Sequence, residues 1–219
     1  MKRSIFIILL LLIICSSCRK KEEENICTTY NIQQVPTFYR SFNFKPTSRW
    51  VYKNSTTFAI DTLKVKSSIG YTTIIFPASS NNTCPDPTGF EGYTTELYHS
   101  ILSSTISTIL YHADDHTFYF VDDSNQSNGI IQKNIGDSVS LYNGSTYNTI
   151  KLENIYVSLT IAGNTFNNVY QMYYSFPNSR GFKRIWWCPN IGFVKFEFYN
   201  QSSSQTEQWE LQNYQAQLY

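Results

Sequence analysis

The chain has 219 residues and a formal net charge of +1, with 15% charged and 16% aromatic residues. A charge balance this close to neutral gives no sign of a nucleic-acid partner or of a basic membrane-binding face. Once an N-terminal signal is removed, the length suits a single domain, and the aromatic residues supply ample material for its core.

The first seventeen residues have the pattern of a lipoprotein signal peptide. Two basic residues precede an unbroken apolar run over 5–14, which has the length of a signal-peptide core and is too short to cross a bilayer. Two serines then stand directly before Cys18, where the signal peptidase needs small residues, whereas Cys15 follows two isoleucines. We therefore predict a signal peptide over 1–17 and acylation of Cys18. The alternatives are an ordinary secretory peptide and an uncleaved N-terminal anchor.

A block of charge follows the predicted acylation site. Residues 19–24 are three basic residues and three glutamates, and such a run cannot join a core. Residues 25–41 are polar, aperiodic and free of glycine, so we predict a lipidated tether and linker over 18–41. The charged block resembles the signal that routes Bacteroidetes lipoproteins to the cell surface. This resemblance implies attachment to the outer membrane, on its surface or its periplasmic face.

From Phe42 onwards apolar and polar residues mostly alternate, which is typical of half-buried strands. Strands are predicted over 61–67 and 71–76 with a turn between them, and a tight hairpin turn is predicted at Gly163 and Asn164. Short strands joined by tight turns indicate an all-β fold. We predict a single antiparallel β domain over 42–219, a meander that forms a sandwich or an open or closed barrel.

One segment of this domain has an ambiguous pattern. Apolar residues recur at helical spacing between 96 and 110, although the Ser-Ser-Thr run at 103–105 is poor helix material. We predict a short helix over 95–104 and a strand over 107–112. Strand pairing across the whole segment is the alternative.

Two stretches resemble a group of uncharacterised Bacteroidetes envelope lipoproteins. In that group a hydrophobic-Pro stretch leads to a Trp-x-Tyr strand, and this chain has FNFKP at 42–46 and SRWVY at 48–52. The run PNIGFVK at 189–195 is similar to a late turn of the group, which precedes a Trp-x-Leu strand, here Trp209 and Leu211. The group has no settled activity, so the resemblance implies a fold and a location only.

Three cysteines remain beyond the predicted anchor, and an oxidising compartment would let two of them pair. Cys84 lies in a Pro-rich loop and Cys188 stands beside a proline at a strand end, so a Cys84–Cys188 disulfide is plausible. A bridge between Cys27 and Cys84 is equally plausible. Three free, partly buried thiols are the third reading.

Metal-capable side chains occur together at His112, Asp114, Asp115 and His116. They flank a predicted hairpin turn, and a metal site would need a defined set of ligands with a further one from elsewhere. We therefore interpret the group as a solvated turn and expect no metal. The polar loop at 122–129 differs from a calcium loop, because its glycine falls one place late and the twelfth position lacks a glutamate.

No spacing of nucleophile, base or paired carboxylates indicates catalysis, and no phosphate-binding glycine pattern occurs. We therefore predict neither an enzyme nor a cofactor. Asp61-Thr62-Leu63 and Asp137-Ser138-Val139 resemble the Bacteroidetes O-glycosylation tripeptide, which makes Thr62 and Ser138 candidate acceptors. In each case a strand that starts after a turn aspartate is the simpler reading.

Exposed aromatic rings beside amides can bind sugars or peptides. Tyr170, Trp186 and Trp187 are the candidate ligand platform, although alternation along a strand places half of such residues in the core. We predict a non-enzymatic binding or accessory module, held to the membrane by its lipid, that recognises a glycan, a peptide or an apolar ligand. The alternatives are a carrier of lipid in an open barrel with 95–104 as its lid and, less favoured, a glycan-acting enzyme.

Overall fold

A computed structural model of the chain describes residues 31–35, 37–75, 88–100, 104–110, 117–121, 127–131, 134–143, 146–175, 181–200 and 204–219. The described residues form thirteen strands and one short helix, and this confirms the predicted all-β fold. The elements are β1 (Asn31–Gln33), α1 (Thr37–Arg40), β2 (Arg49–Asn54), β3 (Ile60–Ile75), β4 (Thr88–His99), β5 (Ser104–Leu110), β6 (Thr117–Val121), β7 (Ser127–Ile131), β8 (Ser138–Asn143), β9 (Thr146–Ile161), β10 (Asn164–Ser175), β11 (Gly181–Cys188), β12 (Gly192–Asn200) and β13 (Gln205–Gln215).

The strands form a single open sheet in the order β7-β6-β5-β4-β3-β2-β13-β12-β11-β10-β9-β8. Neighbours along this path are antiparallel, and β2 pairs with β13, which joins the two ends of the chain within the sheet. The sheet curls, and its curl brings Cα atoms of the terminal strand β7 within 8 Å of those of β8 and β9. Strand β1 lies off the path and pairs in parallel with the first residues of β4.

The inner face of the curled sheet carries an aromatic core. Phe42 stacks on Trp187 with ring centroids 3.9 Å apart, and Phe44 meets Trp50 edge to face. The Tyr52 hydroxyl is buried and donates to the Phe193 carbonyl oxygen at 2.8 Å, which satisfies a polar group inside the core. The largest fully buried side chains are Trp187, Tyr52, Tyr174, Phe42, Ile150, Leu152 and Met172.

The predicted helix over 95–104 is wrong. Strand β4 continues to His99 and β5 starts at Ser104, so the predicted strand over 107–112 begins earlier than expected. Residues 94–99 pair with β3 on one side and with β5 on the other, and these ladders satisfy backbone groups that a helix would satisfy internally. The apolar spacing reflects strand positions facing the core. A lipid carrier would therefore have no helical lid at 95–99.

The predicted turn between 67 and 71 is also wrong, since β3 runs without interruption from Ile60 to Ile75. Gly70 sits inside the strand opposite Tyr93. A Cβ at this glycine would come within 3.1 Å of the Tyr93 ring. The glycine therefore allows a ring to pack closely on the strand, which is a common reason for glycine within a strand.

A long hairpin joins β9 to β10 through a two-residue turn, one residue earlier than predicted. Ala162 and Gly163 have φ of 50° and 83°, and this places both turn residues in the left-handed region that such hairpins require. The two strands pair from Asn164 and Ile161 to Ser175 and Thr149. A register shift beside Gln171 bends this ribbon where it joins the rest of the sheet.

The predicted linker over 18–41 is too long at its C-terminal end. β1 pairs with β4 at 31–33, Val35 is only 2% exposed, and Phe38 packs against the core. The segment reads as a linker because its apolar residues follow no strand or helix period. They reach the core through a short strand and a single helical turn, so no regular spacing is needed.

Candidate functional site

A polar cluster holds the N-terminal segment on the sheet. Glu91 of β4 accepts hydrogen bonds from the Val35 backbone N–H at 3.1 Å and from the Arg40 guanidinium at 2.9 Å. Arg40 also donates to the Val35 carbonyl oxygen and to the Gln34 side chain. The Tyr93 hydroxyl donates to the other Glu91 oxygen. We call residues 31–35 and 37–40 the strap, and Glu91 with Arg40 and Tyr93 the latch.

The latch favours the ionised form of Glu91. Desolvation is the largest single influence and raises the pKa of this carboxyl, but hydrogen bonds from Tyr93 and Val35 and the charge of Arg40 together hold it below its ordinary value. The pKa of Tyr93 is raised, first by desolvation and then by its hydrogen bond to Glu91. The carboxylate therefore interacts with the strap most strongly when it is charged.

The strap covers part of the predicted aromatic platform. The Phe38 ring meets Tyr170 at 5.0 Å and Trp187 at 5.3 Å between centroids, edge to face in both cases. Trp187 is 0% exposed, because Phe42 covers its face. Its indole nitrogen is buried and has no hydrogen-bond partner among the described residues. Trp187 is therefore a core residue and not an exposed platform, and the half-buried Tyr170 lies beneath Phe38.

Trp186 lies on the opposite face of β11 and is not an open platform either. It is 8% exposed, and the Lys195 ammonium lies 4.9 Å from its ring centroid. Lys195 pairs in turn with Glu210 at 3.5 Å. Alternation along the strand explains why adjacent tryptophans face opposite sides. The long side chain of Lys195, on the neighbouring strand β12, covers Trp186.

An ionic network crosses the outer face of β9–β12. Arg184 donates to Glu153 at 3.0 Å and to Glu197 at 3.1 Å, and its guanidinium carbon lies 5.2 Å from the Tyr173 ring centroid. Gln171 donates to the same Glu153 oxygen at 2.6 Å. The pKa of Arg184 is raised, chiefly by its hydrogen bond to Glu153. These groups bind one another across strands that backbone hydrogen bonds already join.

A small apolar cavity lies between the inner face of the sheet and the N-terminal segment. Its volume is about 10 Å³, which is no more than the space of one water molecule. This cavity is too small to hold a lipid chain. Its lining consists of Phe42, Phe44, Trp50, Leu63, Leu97, Trp187, Gly192 and Phe193.

The structure has Cys188 as a free, buried thiol, and Cys84, its partner in one of the three readings, lies outside the described residues. Its Sγ donates to the Asn167 carbonyl oxygen at 3.2 Å. Desolvation raises the pKa of this thiol to about 11, so it remains protonated and unreactive near neutral pH. Packing between β11 and β10 explains its burial without a disulfide.

The two candidate glycosylation acceptors differ in accessibility. Ser138 begins β8 and is exposed, whereas Thr62 is half-buried within β3 beside the fully buried Asp61. Asp61 accepts hydrogen bonds from the Thr62 N–H at 2.7 Å and from the Ser100 hydroxyl at 2.7 Å. Modification of either acceptor stays a prediction.

Several predicted sites lie outside the described residues: the lipid attachment site Cys18, the cysteines Cys27 and Cys84, and the group His112, Asp114, Asp115 and His116. Within the described ranges no group of three or more His, Cys, Asp or Glu side chains could hold a metal ion. The described part of the chain also contains no helix that is long and apolar enough to span a bilayer.

Sequence reasoning missed the latch, because Arg40 and Glu91 are 51 residues apart and neither belongs to a motif. The fold and the latch together define an all-β protein with one curled sheet, fastened at its N-terminal segment.

No protein-family model matches the chain, and no curated protein matches its sequence. One similar solved structure is a predicted lipoprotein from Parabacteroides distasonis ATCC 8503, with 13% identity and a TM-score of 0.38, over 80% of this chain and 98% of that chain. Another is a predicted exported protein with a YmcC-like fold from Bacteroides fragilis NCTC 9343, with 12% identity and a TM-score of 0.39, over 79% of this chain and 97% of that chain. TM-scores of this size mark a distant likeness, and neither description transfers to this chain.

Proposed function

We propose that this chain is a bacterial outer-membrane lipoprotein, acylated on Cys18, whose β domain is a non-enzymatic binding or accessory module of the envelope. The observation that carries the proposal is the sequence of the first eighteen residues. A basic start, an apolar run of signal-peptide length and two serines directly before Cys18 are the features that lipoprotein processing needs.

The position of the strap is compatible with a tether. Twelve residues, 19–30, separate Cys18 from the first residue of β1. Fully extended, a chain of this length spans about 45 Å at most. More than one acyl chain on the cysteine would make release from the membrane negligible. The β domain would therefore stay close to the bilayer surface.

The composition of the core supports a binding module over a lipid carrier. Aromatic residues of the N-terminal segment pack against the described part of the inner face, and the cavity beside them has a volume of about 10 Å³. We expect no saturable binding of a fluorescent fatty acid to the purified full chain. Saturable binding at one site per chain would favour the lipid-carrier hypothesis over the binding-module hypothesis.

Acylation can be tested by substituting Cys18 and the nearby Cys15 separately. Bacteria that express the full chain are grown with an alkynyl fatty acid, and the membrane fraction is washed with carbonate. We expect Cys18→Ser to abolish both labelling and membrane retention, and Cys15→Ser, its matched control, to retain both. Labelling of the Cys18→Ser chain, or its loss in the Cys15→Ser chain, would contradict the proposal.

The membrane face can be measured on the same cells. A protease added to intact cells degrades a surface-exposed domain and spares a periplasmic one. Replacing the three glutamates at 22–24 by glutamine tests the resemblance of 19–24 to a surface signal. If that signal operates, the substituted protein becomes protease-resistant in intact cells while its acylation is unchanged.

A further inference from the structure

Side chains supply much of the attachment of the strap to the sheet. β1 pairs with β4 at only three positions, Asn31–Thr88, Ile32–Gly89 and Gln33–Phe90. The helix α1 has four residues, which is too short to be stable alone. The rest of the attachment comes from Val35, Phe38 and the bonds that converge on Glu91.

The strap also occupies a defined place on β4. β3 pairs with one edge of β4 along its whole length, and β5 covers the other edge from Thr94 to His99. β1 therefore lies on this second edge, beyond the end of β5, where it covers residues 88–90. Removing β1 leaves both neighbouring ladders of β4 intact. Release can thus be local, at a lower free energy than global unfolding.

We propose that the strap is a releasable fastening: Glu91 latches it over the aromatic pair Tyr170 and Trp187, and opening of the latch uncovers Tyr170, while Phe42 still covers the face of Trp187. If Cys18 is acylated, as proposed above, release also lengthens the tether from 12 residues to 22, because residues 31–40 join residues 19–30. The fastening and the covered aromatic pair do not depend on acylation.

The latch has the chemistry for this role. A single carboxylate accepts from the strap backbone, from Arg40 and from Tyr93, so removing its charge weakens three contacts at once. Charge-assisted hydrogen bonds of this kind are roughly twice as strong as neutral ones. The Phe38 ring that the latch holds in place makes edge-to-face contacts with both Tyr170 and Trp187.

Glu91→Gln is the direct test, with Glu96→Gln as its matched control. Glu96 lies on the same strand and forms an ion pair with Lys66 at 3.6 Å that does not involve the strap. Hydrogen exchange of the full chain, followed by mass spectrometry, reports opening of each segment. We expect Glu91→Gln to speed exchange in 31–35 and 37–40 by about 10-fold or more, and Glu96→Gln to leave it within about 2-fold of wild type.

A chemical probe tests the covered aromatic pair. Tetranitromethane nitrates accessible tyrosines, and the fully buried Tyr174 on the same strand serves as an internal reference for Tyr170. We expect Glu91→Gln to increase nitration of Tyr170 several-fold while Tyr174 stays unmodified. Tyr93→Phe, which removes one bond to Glu91, should produce a smaller increase.

Three results would overturn the fastening. They are unchanged exchange of the strap in Glu91→Gln, exchange that rises equally in β9 and β10, or a Glu91→Gln chain that no longer folds. The first would show that Glu91 does not hold the strap, and the other two would make Glu91 part of the global fold. Because exchange and nitration need no acyl group, failure of Cys18 labelling leaves this test readable and refutes only the lipid anchor.

Discussion

Two segments of this protein contact β11 near Trp187 and Cys188, and different forces hold them. The β9–β10 hairpin is held by a backbone ladder that runs from its turn to Ser175 and Thr149. The N-terminal segment, residues 31–35 and 37–44, has three ladder positions with β4 and one isolated bridge between Phe44 and Leu218, and it otherwise depends mainly on aromatic packing and on the latch. Both contact β11, the hairpin through Asn167 and the segment through Phe38 and Phe42.

This difference indicates where single side chains matter. A backbone ladder distributes its stabilisation over many peptide groups, so one substitution removes little of it. A segment held by a few rings and one carboxylate concentrates its stabilisation there. Substitutions should therefore have large effects in the N-terminal segment and small effects in the hairpin.

Phe42→Ala should have the largest effect. Phe42 is 1% exposed and stacks on Trp187, so truncation leaves a cavity in the core. We expect a loss of about 3–5 kcal/mol in the free energy of unfolding, measured by urea denaturation. Phe58→Ala is the control, because Phe58 is 65% exposed, and it should change stability by less than about 0.5 kcal/mol. Equal effects at the two positions would remove the contrast between core segment and surface.

Glu91→Gln should have an intermediate effect that depends on pH. The pKa of Glu91 is lower in the folded chain than its ordinary value of 4.5. Its contribution to stability is therefore fully present at pH values above that ordinary value, and it is lost as pH falls through the folded pKa. Among the described residues, the charged and titratable groups that face it are Arg40 and Tyr93, and the pKa of Tyr93 is raised, so this hydroxyl stays protonated in the acidic range.

The measurement is the difference in urea midpoint between wild type and Glu91→Gln, taken near neutral pH and again in acid. We expect wild type to be more stable near neutral pH and the difference to disappear in acid. If the difference in urea midpoint were the same near neutral pH and in acid, the charge of Glu91 would not be what holds the strap.

Ala162→Asn should have the smallest effect, and it should stabilise the protein. Ala162 has φ of 50° in the hairpin turn, a conformation that asparagine adopts more readily than alanine. Asn-Gly is the preferred pair for this turn, and we expect a gain of about 0.5–1 kcal/mol in urea denaturation. Gly163→Ala, at φ of 83° with open space around it, should instead destabilise by about 1 kcal/mol. A destabilising Ala162→Asn would mean that the turn residue makes contacts elsewhere.

Much of the sheet could be predicted, and the errors share a cause. The alternation around Val194, Phe196 and Phe198 predicts β12 because these residues face one core. The helical spacing near residue 97 led to a wrong helix prediction, because pairing with strands on both sides decides the conformation of β4. Gly70 looked like a turn residue, yet it makes room for Tyr93. A local sequence pattern does not predict which strand will pair with a segment.

The candidate site was less predictable than the fold. Tyr170, Trp186 and Trp187 are the candidate ligand platform in the sequence, but only the tertiary structure shows that Phe38, Phe42 and Lys195 cover them. Glu91 gave no signal, because an isolated glutamate in a strand resembles any surface carboxylate until Val35 and Arg40 are placed beside it.

The sequence alone determined the all-β class and the predicted lipoprotein signal, because periodicity, apolar length and the residues before a cysteine act over short stretches of chain. Tertiary structure decided which aromatic rings are covered, that Cys188 is a free thiol and that residues 31–35 and 37–41 pack on the β domain. These depend on contacts between residues tens to hundreds of positions apart, and such contacts exist only once the sheet has curled around the N-terminal segment.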